Sequence, residues 1–339
     1  MLKKGLIILG ATLLVAPVLA QQAREGGQML SRECRREVVQ LCGFNRGEMR
    51  ECLREKNDQL SQACKGEMMQ AMARRMQQSD TSAQTTARAR TIAYGSNTAQ
   101  KLDLYLPDAA RPATGYPIAV YVHGGGWSKG DKGMVQQKPD FFNAQGWAFA
   151  SVGYRLLPEA PVEQQAADVA AAVAKLKRDA ATLGIDPSRI VLIGHSAGAH
   201  LSALVGTDPQ WLGANVRSLA AVILLDGAAY DVAEQMKQGS FMTKRTYEPA
   251  FGTDPARQAR LSPTLHAAAP NAPRWLILHV ARRADAAAQS NSLARALQNA
   301  GATVQLEPIE GESHMTINRE LGEPGNPHTD IVEKFLRSL

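Results

Sequence analysis

The sequence predicts an α/β domain with a mostly parallel sheet and helices on both faces, preceded by a small helical hairpin with disulfides. Two observations carry this prediction. From about residue 91, short apolar segments alternate with longer segments of helical period. All four cysteines lie between residues 34 and 64. A chain of 339 residues with 45% hydrophobic residues can bury one large core beside a small unit.

Seven segments of the large part have the composition of strands, because polarity alternates in the first and the others are short apolar runs. Strands are expected at 101–106, 117–122, 147–152, 189–193, 220–225, 275–280 and 302–308. A period of 3.6 predicts a long helix at 162–183, which ends at Gly184, and a closing helix at 330–339. Residues 231–270 interrupt the alternation and are expected to form a small cap or insertion.

The first twenty residues have the features of a signal peptide. Lys3 and Lys4 precede an apolar stretch, and Val18-Leu19-Ala20 resembles a small-residue cleavage site. We therefore expect an exported protein, periplasmic or secreted. The alternative is an uncleaved membrane anchor, for which the apolar stretch is short.

Four cysteines follow, and in an exported chain an even number predicts disulfides. They are Cys34, Cys42, Cys52 and Cys64. Helical patterns flank a turn at 43–47, so two antiparallel helices would let Cys42 pair with Cys52 and Cys34 with Cys64. Three pairings are possible for four cysteines. A zinc site is the alternative, although the spacing contains no C-x2-C pair.

The predicted hairpin spans residues 21–70, and residues 71–90, rich in Met, Gln, Arg, Ser and Thr, are predicted to form a linker. The net charge of +6 belongs to the first ninety residues, because residues 91–339 carry 23 basic and 23 acidic residues. Charges of both signs alternate in the hairpin, as on a solvated helix, so we expect no nucleic-acid partner. A protein, glycan or cell-envelope partner for the hairpin stays open, beside a purely stabilising role.

The stretch Gly194-His195-Ser196-Ala197-Gly198 predicts a nucleophilic serine. It matches G-x-S-x-G and lies where an apolar strand changes into a helical pattern. On such a turn the serine hydroxyl projects above the sheet, and the flanking glycines relieve crowding. The alternative is an ordinary glycine-lined loop. We expect Ser196 to be the nucleophile.

A second glycine-rich stretch, HGGGW at 123–127, follows a predicted strand. Glycines let the backbone approach a ligand and present N–H groups to a developing oxyanion. We therefore predict an oxyanion hole from the N–H groups of Gly125, Gly126 and Ala197. The alternatives are a flexible loop or a phosphate-binding turn, and His123 is expected to orient the loop.

A serine nucleophile needs a base and a carboxylate, which in this architecture follow it in the order Asp or Glu, then His. His314 lies in a polar loop after the last predicted strand and is the expected base, with His328 as the alternative. Asp285, where the loop after the sixth predicted strand enters a helix, is the expected carboxylate. Asp226, directly after the fifth, is the alternative, and Glu312 is expected to be solvated.

These motifs together resemble a known family. HGGGW, GHSAGAHL, LDLYLP and the late Asp–His pair resemble α/β-hydrolases of the hormone-sensitive-lipase-like carboxylesterase group. HSAGAHL also resembles the kynurenine formamidase and feruloyl esterase branch. Over residues 91–339 the resemblance implies an α/β-hydrolase fold, an oxyanion hole as above, and a triad of Ser196, Asp285 and His314. The chain departs in one loop, which reads HVARRAD where many members have HGxxD.

The implied function is hydrolysis of a small-molecule ester, short-chain or aryl, through an acyl-enzyme, with no metal and no other cofactor. Cleavage of an aryl formamide or amide by the same triad is the alternative. A non-catalytic binding protein on a hydrolase scaffold is less favoured, because every member of the triad is present.

The cysteine-rich segment has its own resemblance. CRREVVQLCG and CLREKNDQLSQAC, within residues 31–66, resemble the cysteine-rich repeat of eukaryotic Golgi and growth-factor-binding proteins. This resemblance implies a helical hairpin and no chemistry.

Overall fold

The computed structural model describes most of the chain in two compact units, Met1–Thr81 and Ser82–Leu339. The described residues are 31–42, 52–53, 56–69, 89–238, 241–268 and 270–339. The predicted signal peptide, the turn at 43–47 and nearly all of the predicted linker lie outside them. In the described part of the chain, no helix is both long and apolar enough to cross a bilayer.

Among its described residues, the small unit contains two helices of eight or more residues and two disulfides, of which Cys34–Cys64 joins these helices. Helix α1 is Arg32–Cys42 and helix α2 spans 62–69. Cys34 is bonded to Cys64 with 4.9 Å between their Cα atoms, and Cys42 to Cys52 with 5.7 Å, as predicted. The four sulfur atoms are therefore bonded in pairs, which leaves no thiolate among them for zinc. Such a small core gains about 2–4 kcal/mol from each bridge.

An eight-stranded sheet forms the centre of the large unit, in the order β1-β2-β4-β3-β5-β6-β7-β8. The strands are β1 Arg90–Ala93, β2 Lys101–Tyr105, β3 Tyr116–Val122, β4 Ala148–Val152, β5 Ile185–His195, β6 Leu219–Leu225, β7 Arg274–Val280 and β8 Thr303–Ile309. Strands β3 to β8 are parallel, whereas β2 is antiparallel to both β1 and β4. The seven predicted strands are confirmed. β1 escaped prediction because it is a short, largely exposed edge strand.

Twelve helices of the large unit surround this sheet within the described residues. They are α3 Lys138–Ala144, α4 Val162–Arg178, α5 Ala180–Leu183, α6 Ala197–Thr207, α7 Pro209–Leu212, α8 Val232–Gln238, α9 Phe241–Phe251, α10 Pro255–Arg260, α11 Pro263–His266, α12 Ala284–Asn299, α13 Thr316–Arg319 and α14 Pro327–Arg337. The predicted helix at 162–183 is broken at Asp179, a residue type that favours helix ends. The predicted cap at 231–270 contains α8 to α11.

Two apolar cores lie on opposite faces of the sheet. Val120 packs into one core and its neighbour Tyr121 into the other, because successive strand residues point to opposite faces. Helices α4, α6 and α12 contribute to the first core, and α3 and α14 to the second. Both faces of the parallel strands are therefore covered, as the sequence predicts. In this arrangement functional groups gather at the carboxyl ends of the strands.

Candidate active site

Ser196 lies on the one-residue turn between β5 and α6. Its backbone is in the left-handed region, with φ +55° and ψ −120°, which is strained for a residue with a side chain. A side chain at Gly194 would collide with the carbonyl of Gly198, and one at Gly198 with the carbonyl of Val122. The two glycines therefore permit the sharp turn that the G-x-S-x-G pattern predicts.

Three side chains from separate loops form one hydrogen-bonded line at this turn. Ser196 Oγ lies 3.0 Å from His314 Nε2. His314 Nδ1 lies 2.7 Å from Asp226 Oδ2, and the Asp226 side chain is fully buried. A serine, an imidazole and a buried carboxylate in this order have the geometry that activates a hydroxyl.

The carboxylate that contacts His314 is Asp226, so the prediction of Asp285 in this place is wrong. Asp285 lies in the first turn of α12, its side chain is 45% exposed, and it accepts a hydrogen bond from Arg283 at 3.1 Å. The sheet explains the difference. His195 is opposite Leu225 across β5 and β6, so the next residues, Ser196 and Asp226, follow neighbouring strand ends.

The family pattern HGxxD also contributed to the wrong prediction of Asp285. Counted from His279, the aspartate of that pattern falls on Arg283, and Asp285 is two residues further along the chain. Asp226 did carry a signal, because it follows a buried strand directly, as Ser196 does. Its φ of +46° is also a conformation that aspartate tolerates better than most residues.

The Asp226 carboxylate is surrounded by donors. One oxygen accepts from His314 and Arg283, and the other accepts the N–H of Val280 at 2.9 Å. Burial by itself would raise the pKa of Asp226, but these hydrogen bonds and the guanidinium charge hold it below its ordinary value. The carboxylate is therefore ionised at neutral pH despite its burial.

Arg283 contacts both the acid and the base of this line. Its Nη1 bonds to Asp226 and lies 2.8 Å from His314 Nδ1, while its Nη2 reaches Asp285. Asp285 thus touches His314 only indirectly, through the guanidinium. Sequence reasoning missed Arg283, since nothing local to HVARRAD distinguishes it from Arg282.

His195 is a second residue whose structural role was not predicted from the sequence. Its ring is buried against the His314 ring, with 4.7 Å between centroids, and its Nε2 lies 2.7 Å from the His314 carbonyl oxygen. Burial, and next the neighbouring His314, lower the pKa of His195 to about 3. The neutral ring therefore donates an N–H to that carbonyl and holds the His314 loop above Ser196.

The HGGGW loop lies against the nucleophile turn. A side chain at Gly124 would come within 3.0 Å of Ser196 Cβ, and Gly125 and Gly126 have φ of +130° and +58°. Among the hydrogen bonds of the described residues, the N–H groups of Gly125, Gly126 and Ala197 donate to no protein acceptor. All three residues line the cavity at Ser196. As expected, His123 holds the loop: it is buried and stacks on Tyr154 at 4.3 Å.

The alternative base lies elsewhere. His328 is fully buried in α14, and its Nδ1 lies 3.4 Å from Glu312 Oε1. Glu312 is itself buried and also accepts from Asn326, so the expectation of a solvated carboxylate is wrong. A local pattern places Glu312 in a polar loop, but α14 packs over it.

The cavity above Ser196 has a volume of about 540 Å³. Its lining includes Ser196, His314, Asp226 and the glycines of the HGGGW loop. Met134 and Met315, which are 46% and 57% exposed, add apolar surface to it. The site thus combines a line of hydrogen-bonded polar side chains with an apolar rim.

Known proteins are similar to this chain in sequence and in structure. The profile of the BD-FAE family matches residues 102–296, more than half of the chain. A kynurenine formamidase from Danio rerio is 27% identical over 259 residues, which cover 72% of this chain and 80% of that enzyme. The carboxylesterase NlhH of Mycobacterium tuberculosis is 39% identical over 118 residues, 34% of this chain and 36% of that enzyme.

The thermophilic esterase Est2 of Thermogutta terrifontis has a similar structure, with a TM-score of 0.61 and 26% identity over 74% of this chain and 92% of that chain. It has also been solved with propionate bound and phosphonylated by sarin. The predicted family resemblance is therefore confirmed. The chain belongs to the BD-FAE family of α/β-hydrolases, and it is a serine hydrolase of the carboxylesterase type.

Proposed function

We propose that the protein hydrolyses small carboxylic esters with Ser196 as nucleophile, His314 as base and Asp226 as the carboxylate that orients the base. The observation that carries the proposal is the line of hydrogen bonds from Ser196 Oγ to His314, 3.0 Å, and from His314 to Asp226, 2.7 Å. Each group has the partner that its role requires.

The reaction follows from this geometry. His314 Nε2 takes the proton of Ser196 as Oγ attacks the ester carbonyl, and Asp226 stabilises the imidazolium that forms. The oxyanion accepts hydrogen bonds from the N–H groups of the predicted oxyanion hole. His314 then gives its proton to the leaving alcohol, which leaves an acyl-enzyme. A water molecule, deprotonated by His314, releases the acid and restores Ser196.

The size and lining of the cavity support short-chain or aryl esters. A volume of about 540 Å³ suits a small molecule, and the methionine rim offers apolar contact. The propionate-bound structure of the related esterase supports the same substrate class.

Cleavage of an aryl formamide is the second candidate function. It is favoured by the similarity to a kynurenine formamidase, which extends over 72% of this chain. The same residues would serve, because formamide cleavage also passes through a tetrahedral oxyanion and an acyl-serine.

The test is turnover by the purified protein of p-nitrophenyl acetate, p-nitrophenyl butyrate and an aryl formamide, with active-site titration by a fluorophosphonate. We expect hydrolysis of both esters and loss of activity when one equivalent of label is bound. Faster turnover of the formamide would favour the second function. Absence of turnover on all three, together with absence of labelling, would overturn the proposed chemistry.

Arg283 is expected to set the pH dependence of this reaction. Burial by itself would raise the pKa of Asp226, and the Arg283 guanidinium is one of the groups that hold it below its ordinary value. In Arg283→Gln we expect the acid limb of the kcat/KM profile to move upward, because protonation of the Asp226 carboxylate becomes easier. The measurement is kcat/KM from pH 5 to pH 9.

Two variants complete this test. Arg283→Lys keeps the charge and should restore most of the original acid limb, which a purely structural role would not explain. Arg282→Gln is the matched control, because Arg282 is exposed and does not line the cavity. An unchanged acid limb in Arg283→Gln would refute the electrostatic role.

A further inference from the structure

A second cavity, of about 650 Å³, adjoins the active site. It shares Gly125, Gly126, Lys129 and Thr246 with the cavity above Ser196, so the two lie side by side along the HGGGW loop. We call this second cavity the basic groove, because Lys129 and Arg245 are the charged residues among those that line it. The remaining lining includes the apolar side chains of Leu157, Pro158 and Pro249.

The loop beside the oxyanion hole holds Lys129 in place. The N–H groups of Ser128 and Lys129 both donate to the Gly125 carbonyl, at 3.2 and 3.0 Å. This tight turn positions the Lys129 backbone within a few residues of the predicted oxyanion donors. Arg245 lies on α9, which belongs to the helices between β6 and β7. Two separate elements therefore each place one cation at the basic groove.

Some basic residues of the large unit are held in ion pairs, and these two cations differ from those residues. Arg155 pairs with Asp168 and Arg257 with Glu163, each at 2.7 Å. In the described residues, the side chains of Lys129 and Arg245 form neither an ion pair nor a hydrogen bond. Among the described residues that line the groove there is no carboxylate. Two unpaired cations over an apolar floor produce a positive potential that attracts an anion.

We propose that the preferred substrate is an ester that also carries a carboxylate, which lies in the basic groove between Lys129 and Arg245. This inference rests on the proposed function and specifies its substrate class. The ester carbonyl would lie at Ser196, and the carboxylate, beyond the glycine loop, would orient the rest of the molecule. Binding energy gained at such a remote group helps to hold the reacting carbonyl in place.

The test uses rigid ester pairs that differ only in charge. One pair, 4-acetoxybenzoate and 4-acetoxybenzamide, carries the carboxylate or the neutral carboxamide on the alcohol side of the ester. The other carries it on the acyl side: the mono-p-nitrophenyl ester of terephthalic acid and its carboxamide analogue. The para geometry prevents the carboxylate from attacking the ester itself. The readout is the ratio of kcat/KM for the anionic ester to that for its neutral partner.

We expect the wild-type protein to prefer the anionic ester in at least one pair. Lys129→Gln and Arg245→Gln should each lower this ratio by about 5-fold, an effect of modest size because both side chains are exposed. The preference should also weaken at high salt. Lys244→Gln is the matched control, because it removes an exposed cation of the same helix that does not line the groove.

Each outcome has a definite meaning. A ratio near one in both pairs, or a preference that both substitutions leave unchanged, would overturn the inference while ester hydrolysis stands. A preference that is lost equally in Lys244→Gln would arise from the general positive charge of the surface, and this result would also overturn the inference. If none of the four esters is hydrolysed while p-nitrophenyl acetate is, the inference fails and the proposed function stands; if p-nitrophenyl acetate is not hydrolysed and no fluorophosphonate label is bound either, the proposed function fails.

Discussion

Ser196→Ala is expected to lower kcat/KM for p-nitrophenyl butyrate by about 10⁵- to 10⁶-fold, the largest effect of any substitution in this chain. Alanine removes the only atom that could form the acyl-enzyme, so water must attack the ester directly. Some acceleration would remain, because the oxyanion donors and the cavity are unchanged. The measurement is the initial rate of the purified variant beside the wild-type protein, together with fluorophosphonate labelling, which should disappear.

The matched control for this variant is Ser290→Ala. Ser290 is buried, and within the described residues its hydroxyl makes no hydrogen bond. It does not line the cavity, so activity and labelling should remain close to those of the wild type. Retention of more than a tenth of the activity in Ser196→Ala would show that another group is the nucleophile.

The second large effect is expected at Asp226. In Asp226→Asn, the neutral amide can donate to His314 Nδ1 and so favour the tautomer that cannot accept the serine proton. We expect kcat/KM to fall by about 10³- to 10⁴-fold near neutral pH. In Asp285→Asn we expect less than about a tenfold loss, because this exposed carboxylate contacts Arg283 and not the base.

The two aspartates form a direct comparison. Rates of both variants should be measured with the same ester, beside their thermal unfolding midpoints, because Asp226 is buried and its replacement can also lower stability. A folded Asp226→Asn protein with nearly full activity would refute the assignment. If Asp285→Asn then lost activity instead, the carboxylate predicted from the sequence would be the functional one.

Local patterns in the sequence determined the strands and the nucleophile turn, and they favoured one disulfide pairing among three. Each depends on neighbours along the chain. Short apolar runs form buried strands, Gly194 and Gly198 permit the strained turn at Ser196, and Cys42 is bonded to Cys52, which is only 10 residues away in the sequence. The sequence did not predict elements whose residues show only a weak pattern of polarity, such as the short, exposed edge strand β1.

The tertiary structure alone decided which carboxylate meets His314. Asp226 follows Ser196 by 30 residues, and His314 follows Asp226 by 88. Only the pairing of β5 with β6 brings Ser196 and Asp226 side by side. Asp226 follows its strand directly and Asp285 follows the next strand after four residues, but the local sequence does not decide which of them reaches His314. The pairing register and the length of the loop after β7 do so, because they leave Asp285 on a helix, behind Arg283, and Asp226 against the base.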